Sequence, residues 1–504
     1  MDVVYPGRAY AVLSAQQTVA KDTDLPQRRC PGAYRSTPER RDNAMTVRGD
    51  TTMTAPAAHA PRTANTAPAA SIPPLRQTPP PRRRSWIARA ARRIAVAALG
   101  LGALAALVIV GGLELLTARV PSLPAPQGPY QVGSEVFRWT DSQRPETLTA
   151  DPDDRRQVVA QAWYPADPTA GRTRAPWPAP GAPVPYFEAQ DQLPAYLDPY
   201  PSFVFRSFNQ VDTHARASLP VSAARPDWPV LLFLPGWGSP REHYTALCAD
   251  LASRGFVVVA LSHPYESAIS LLANGHAVGP VNRATIFGGS MADMVAIRAA
   301  DSSFVLDQLT RLDQLAPGSP LVGHLDLQHV GIVGHSLGGA TAVQVVANDA
   351  RFLAGVNIDG VLSDALASLE LTRPFLWLQA GGTPGEHYRQ VRDRLMGGLR
   401  DGGEVLVVGG SSHSSFTDLS TYLSPLGRRV LGDDGTSPAA DGAGGAGSGE
   451  RITSETGDVI AAFVGRQLGS AGSVGTAGGA SLDEALARHP SIRRQDTVGG
   501  ELRR

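Results

Sequence analysis

Residues Gly331 to Gly339 read Gly-Ile-Val-Gly-His-Ser-Leu-Gly-Gly, and no other stretch restricts the fold as strongly. Val330 to Val333 is an apolar, β-type run. Leu337 to Asn348 has helical composition, and only Gly334-His335-Ser336 stands between the two. A strand that turns into a helix within so few residues leaves no room for side chains beside the apex. Glycines at 334 and 338 remove them. The pattern is therefore a G-x-S-x-G elbow that holds the hydroxyl of Ser336 beyond the carboxyl end of a sheet strand. The helix that follows points its positive end at that hydroxyl. An inert serine in a Gly-rich turn would satisfy the five letters alone; the strand before and the helix after favour a nucleophile.

A serine hydroxyl is a poor nucleophile at neutral pH and needs a base, which in turn needs an orienting group. Behind an elbow of this kind the chain order is serine, acid, histidine. Asp359 ends the expected strand Gly355–Ile358, and His413 follows the expected strand Val405–Val408. Both positions lie past the carboxyl ends of strands, where open α/β sheets build their sites. Asp359-Gly360 also reads as a plain turn, and Asp326 fits the order poorly. His335 is expected to orient or pack. His263 closes a strand and is a candidate pocket residue, whereas His324 and His329 are expected to be structural. Two backbone N–H groups must hold an oxyanion. The natural donors are Leu337, next to the serine, and Trp237 in the small-residue loop Pro235-Gly236-Trp237-Gly238 after the strand Val230–Leu234.

Seven strands alternate with helices from about Tyr130 onward: Gln157–Tyr164, Val230–Leu234, Phe256–Leu261, Val330–Val333, Gly355–Ile358, Phe375–Gln379 and Val405–Val408. The helices are Arg241–Ser253, Met291–Leu312, Leu337–Asn348, Gly385–Leu399 and Thr453–Leu468. Such alternation predicts a mostly parallel central sheet with helices on both faces. The catalytic domain is set at residues 130–470, with a flexible Gly-rich insertion at 427–451 and a flexible tail at 471–504. Gly442 to Gly447 spells G-x-G-x-x-G, but no strand feeds it, so it is read as linker. Residues 1–83 are Pro- and Arg-rich without hydrophobic period and are expected to be a disordered cytoplasmic arm.

Residues 84–118 are read as a transmembrane signal anchor, joined to the domain by a linker at 119–129. Ile94 to Leu113 is twenty residues without a charge, enough to span about 30 Å of hydrocarbon. Arg82, Arg83, Arg84, Arg89, Arg92 and Arg93 precede it, which places the N-terminus inside and the domain outside the cell membrane. A cleaved signal peptide, giving a secreted protein, and a buried soluble helix are the alternatives.

Equal numbers of basic and acidic residues, 46 each, give no electrostatic case for a nucleic-acid partner. The two cysteines, Cys30 and Cys248, provide neither a disulfide framework nor a cysteine-built zinc site. No H-E-x-x-H is present, and neither a metal nor another cofactor is expected.

Several segments together resemble the platelet-activating-factor acetylhydrolases of the plasma or isoform II type, including their bacterial relatives. These are Gly128-Pro129-Tyr130-Gln131-Val132-Gly133, Ala162-Trp163-Tyr164-Pro165, Gly334 to Thr341, Asp349-Ala350-Arg351-Phe352 with Asp359, and Gly410 to Asp418 with its G-x-x-H-x-x-F-x-D spacing. The resemblance covers about residues 128–425. It implies an α/β-hydrolase fold and a calcium-independent serine esterase with Ser336, Asp359 and His413 as triad and Leu337 and Trp237 as oxyanion donors. Leu337 replaces an aromatic found in some members, and Gly360-Val361 replaces another after the acid. Cutinase-like lipases and polyester hydrolases share a similar elbow. An envelope acyltransferase and a non-catalytic surface binding module are the further alternatives. Tyr186, Phe187, Tyr196, Tyr200, Phe203, Phe205 and Phe208 form either a lid over Ser336 or a satellite core. An apolar wall there suits a lipid or other hydrophobic ester.

Overall fold

The structure is a computed structural model and describes residues 84–117, 123–168, 211–281, 291–360, 363–382, 384–399, 403–418, 421, 448–469 and 481–495. The expected arm, the aromatic insertion from Tyr186 to Phe208, the 442–447 glycine motif and Cys30 lie outside the described residues.

Twelve strands are described: β1 Gln131–Pro145, β2 Arg155–Ala166, β3 Ala215–Ala217, β4 Trp228–Leu234, β5 Val257–Ser262, β6 Ser270–Leu271, β7 Ala277–Val278, β8 Leu325–His335, β9 Phe352–Ile358, β10 Phe375–Ala380, β11 Gly403–Val408 and β12 Ile492–Arg494. Ten form one sheet in the order β12-β11-β10-β9-β8-β4-β5-β2-β1-β3, and β6 and β7 pair separately. The central six, from β11 to β5, run parallel. The long hairpin β1–β2 joins antiparallel to β5 at one side, and β12 joins antiparallel to β11 at the other.

The parallel strands are apolar over their buried stretches because both faces are covered there. In β4 alternate residues part company: Leu231 and Phe233 enter one core with Leu247, Leu251, Val459 and Phe463. Val230, Leu232 and Leu234 enter the other with Val305, Leu309, Val343 and Leu395. Helices Thr245–Ser253 and Ser448–Gln467 thus cover the first face. Met291–Leu309, Leu337–Asn348 and Glu386–Gly397 cover the second.

Three boundaries differ from the sequence reading. Residues 481–495 are not a flexible tail. A helix, Leu482–Arg488, and β12 close the sheet edge, with Leu482, Ala485 and Ile492 buried and Arg494 paired to Glu404. A three-residue strand that buries one isoleucine leaves too little periodicity to be seen in sequence. Helix Ser448–Gln467 begins inside the expected insertion, where Gly449 and Ser448 carry no helical signal. The end of the expected linker is pinned as well: Gln127 N–H donates to Asp250 Oδ1 (2.7 Å) and Gly128 N–H to Ser253 Oγ (2.8 Å).

The helix Arg84–Thr117 is a separate matter. Its segment Trp86–Ile109 has mean hydropathy 1.9 with its side chains outward and uncovered, so it is long and apolar enough to cross a membrane.

Candidate active site

The elbow is built by close backbone approach. A Cβ on Gly334 would lie 2.1 Å from Gly338 O, and one on Gly338 would lie 2.0 Å from Leu234 O. Neither neighbour can yield, because both are backbone atoms of packed elements. Ser336 at the apex has φ 55° and ψ −122°, a conformation that costs a non-glycine residue about 1–3 kcal/mol. Its N–H donates to Ile358 O (2.9 Å), and its carbonyl accepts from Ala340 N–H (3.1 Å), which hold the turn between β8, β9 and the helix. Asp359, at the end of β9, also has positive φ (48°) and is held by its N–H donating to Leu378 O at 2.6 Å. Two of the sequence-nominated residues are therefore among the described non-glycine residues with positive φ, beside His214, Ser218 and Tyr265.

The structure joins the nominated acid and base. His413 opens a short 3-10 turn, His413–Phe416, after β11, and its Nδ1 lies 2.6 Å from Asp359 Oδ2. An ionised carboxylate only accepts, so Nδ1 carries the proton and Nε2 keeps its lone pair. Burial pushes the Asp359 carboxyl up. The hydrogen bond from His413 and the N–H of Ala380 (2.9 Å) outweigh it and hold the carboxyl below its ordinary value. The ring of His335, the residue before Ser336 in the chain, lies 4.5 Å from that of His413 between centroids. Among the described contacts the Ser336 hydroxyl has no hydrogen bond; bonds between a nucleophile and its base are often long before substrate arrives.

His335 is engaged through both ring nitrogens. Its Nε2 lies 3.0 Å from His413 O and its Nδ1 lies 2.9 Å from Tyr244 Oη. A carbonyl cannot donate, so Nε2–H donates to it, and Nδ1 accepts from the tyrosine hydroxyl. Tyr244 Oη in turn accepts from Gly236 N–H at 2.9 Å. One buried chain of hydrogen bonds thus ties the loop after β4 to the elbow and to the backbone of His413. Burial first, and the neighbouring His413 second, push the His335 imidazole down to about 3, so it stays neutral.

His243, fully enclosed, is likewise pushed down by burial, to about 4. Below the ordinary histidine value of about 6.5 the unfolded chain binds protons that these two folded-state imidazoles refuse. Their contribution is complete above that pH and is lost as pH falls toward the folded-state values. The loss is up to about 1.4 kcal/mol per pH unit for each histidine. Urea unfolding at pH 6.5 and pH 5 should therefore show a smaller pH-dependent loss for His243→Gln than for the unsubstituted chain. Equal losses in the two proteins would contradict it.

The nominated oxyanion residues lie together. Leu337 is the first residue of the elbow helix, where N–H groups have no intrahelical acceptor. The side chain of Trp237 is half-buried in a cluster with Val295, Leu337, Ala340 and Leu366. His263 does not line a pocket: it is fully buried with Nδ1 2.8 Å from Asp301 Oδ2. His324 contacts Pro226 O and His329 pairs with Asp326, consistent with structural roles. Sequence reasoning missed Tyr244 and Arg298, and quoted Asp418 without giving it a role. Only Asp418 had a signal, its fixed place in the His413 segment; its carboxylate caps the N-terminus of helix Thr245–Ser253 through Ala246 N–H (3.2 Å).

A family model described as platelet-activating factor acetylhydrolase, isoform II, matches residues 117–280 and 310–438, more than half of the chain. The platelet-activating factor acetylhydrolase of Cavia porcellus is 32% identical over 151 residues, covering 26% of this chain and 35% of its own length. A probable 1-alkyl-2-acetylglycerophosphocholine esterase of Arthroderma benhamiae is 29% identical over 135 residues, covering 27% and 32%. The chain thus spans about a third of the length of these two relatives. The match to the Gallus gallus platelet-activating factor acetylhydrolase is longer, 341 residues at 21% identity, covering 60% and 75%. Among solved structures, a ferulic acid esterase from Streptomyces cinnamoneus superposes with TM-score 0.54 at 26% identity, covering 75% of this chain and 100% of that one. With the strand order and the elbow, these matches identify an α/β-hydrolase fold. The chain belongs to the platelet-activating factor acetylhydrolase, isoform II, family.

Proposed function

We propose that this chain is a serine carboxylic-ester hydrolase acting on hydrophobic esters, short-acyl phospholipids among them. The observation that carries the reading is the His413–Asp359 bond, formed at the end of the sheet where Ser336 stands strained on its elbow. In this reading His413 Nε2 takes the Ser336 proton as Oγ attacks the ester carbonyl. The N–H groups of Leu337 and Trp237 hold the oxyanion. His413 then protonates the departing alcohol, and water, deprotonated by the same imidazole, cleaves the acyl-enzyme. The cluster of Trp237, Val295, Leu337 and Leu366 offers the acyl group an apolar wall. The names of the relatives support an acetylated glycerophospholipid. The helix Arg84–Thr117, acting as a membrane anchor, would keep the site near lipid.

The ferulic acid esterase likeness favours a second reading, an ester with a bulky aromatic acyl group. Turnover of a short-acyl phosphatidylcholine, a feruloyl ester and a nitrophenyl butyrate separates the two. The test of the reaction class itself is covalent labelling. A fluorophosphonate should modify the full-length protein once, at Ser336 by peptide mass spectrometry, and prior heat denaturation should abolish labelling. A native protein that stays unlabelled, or is labelled elsewhere, would overturn the ester-hydrolase reading.

A further inference from the structure

The loop Pro235-Gly236-Trp237-Gly238 meets a buried cation that the reaction scheme does not use. Arg298, on helix Met291–Leu309, is fully buried. Its Nη1 donates to Pro235 O at 2.7 Å and its Nη2 to Gly236 O at 3.3 Å. The remaining side of the guanidinium faces Glu266, on the connection after β5. Nε donates to Glu266 Oε2 at 2.9 Å and Nη2 donates to Oε1. A buried cation without a partner would be strongly destabilising. Glu266 neutralises Arg298 and fixes the plane of the fork, so the other edge is presented to two successive carbonyls. Arginine can do this because its donors lie in one rigid plane.

The consequence follows from peptide geometry. A trans peptide is planar, and its C=O and N–H point in opposite directions. The carbonyl of Gly236 and the N–H of Trp237 belong to one peptide. With that carbonyl drawn toward Arg298, the Trp237 N–H is turned to the opposite side of the loop. The loop also abuts the nucleophile: a Cβ on Gly236 would lie 3.3 Å from Ser336 Cβ and 3.1 Å from Tyr244 Oη. The preceding peptide is held at both ends, by Arg298 on Pro235 O and by Tyr244 Oη on Gly236 N–H. Ser239 N–H adds a turn bond to Gly236 O at 3.1 Å, with Gly238 at φ 68°. The turn bond shapes the loop, whereas Arg298 is the charged group that fixes how the loop is rotated relative to the sheet. Donation from a cation also polarises the peptide and strengthens its N–H as a donor.

We propose that Arg298, fixed by Glu266, is a positioning residue that aims the Trp237 N–H at the oxyanion. This rests on the ester-hydrolase reading for its catalytic consequence, while its structural half, control of the loop, stands separately. The test uses full-length protein in detergent and the variants Arg298→Gln and Arg298→Lys. It measures kcat and KM on nitrophenyl butyrate and hydrogen exchange of peptides covering residues 232–240 and 337–348.

Removal of a whole oxyanion donor costs about 100- to 1000-fold in kcat. A misaimed donor should cost less, so Arg298→Gln should lower kcat by about 10- to 100-fold with KM changed by less than about threefold. Exchange in 232–240 should rise while the elbow helix keeps its protection. Arg298→Lys retains the charge but not the fork, and should recover part of kcat; it also serves where Arg298→Gln does not fold. Unchanged kcat and loop exchange in a folded variant would overturn the proposal. So would a loss of protection spread equally through the elbow helix, which would mark Arg298 as a general core residue. Should the unsubstituted protein show no Ser336-dependent turnover, the ester-hydrolase reading fails, and loop exchange in the variants still decides whether Arg298 controls the loop.

Discussion

Ser336→Ala should lower kcat on nitrophenyl butyrate by about four to six orders of magnitude, with the chain still folded. The size of the effect follows from what the hydroxyl does in the proposed scheme. Without Oγ there is no acyl-enzyme, and the His413 imidazole has no proton to take from a bound nucleophile. What survives is the binding of substrate and the pull of the Leu337 and Trp237 N–H groups, enough for a residual rate above that in water. The fold should tolerate the change because the Ser336 side chain makes no hydrogen bond among the described contacts. Its backbone bonds to Ile358 and Ala340 do not depend on the hydroxyl. Alanine at φ 55° is strained about as serine is. The measurement is kcat beside a thermal melt of both proteins. Activity within tenfold of the unsubstituted chain, at equal Tm, would remove Ser336 from the reaction.

Asp359→Asn should cost about four orders of magnitude in kcat, and for a different reason. The carboxylate accepts from His413 Nδ1–H at 2.6 Å, and this leaves Nε2 unprotonated and able to act as a base. The asparagine amide presents a donor to the same nitrogen. The imidazole then takes the other tautomer, with the proton on Nε2, and cannot accept one from Ser336. Asparagine is the right probe because it adopts φ 48° with less strain than most residues, so the turn at the end of β9 should survive. Its carbonyl oxygen can still accept from Ala380 N–H. Fluorophosphonate labelling of Ser336 should slow in parallel with kcat. A variant that retains more than a tenth of the activity would show that another group orients His413.

The elbow was legible because everything it needs is local. Two glycines, a serine, an apolar strand before and a helix after are adjacent in the chain, and the turn is too tight for any other composition. The helix Leu337–Asn348 runs as its composition predicts. The positions of Asp359 and His413 were legible for a related reason: each follows an apolar run whose carboxyl end must reach the same edge of a parallel sheet. The apolar stretch before the domain could also be read directly, since length and lack of charge are properties of the sequence itself.

Other features depended on contacts between residues far apart in sequence. Tyr244 stands 91 residues before His335, and Arg298 meets Pro235 across 63. Neither position carries a signal of its own, because tyrosines and arginines with ordinary structural roles look the same in a list of letters. The strand β12 is three residues long and acquires its meaning only by pairing with β11. The linker before β1 became part of the domain because Asp250 and Ser253 offer acceptors to its backbone. The sequence by itself determined the elbow, the order of the nominated serine, acid and histidine, and the alternation of strands and helices, since each is written in neighbouring residues. The tertiary structure alone decided which buried polar groups grip the loop after β4 and the backbone of His413, because a hydrogen bond is specified by distance and direction in space, and chain folding sets both.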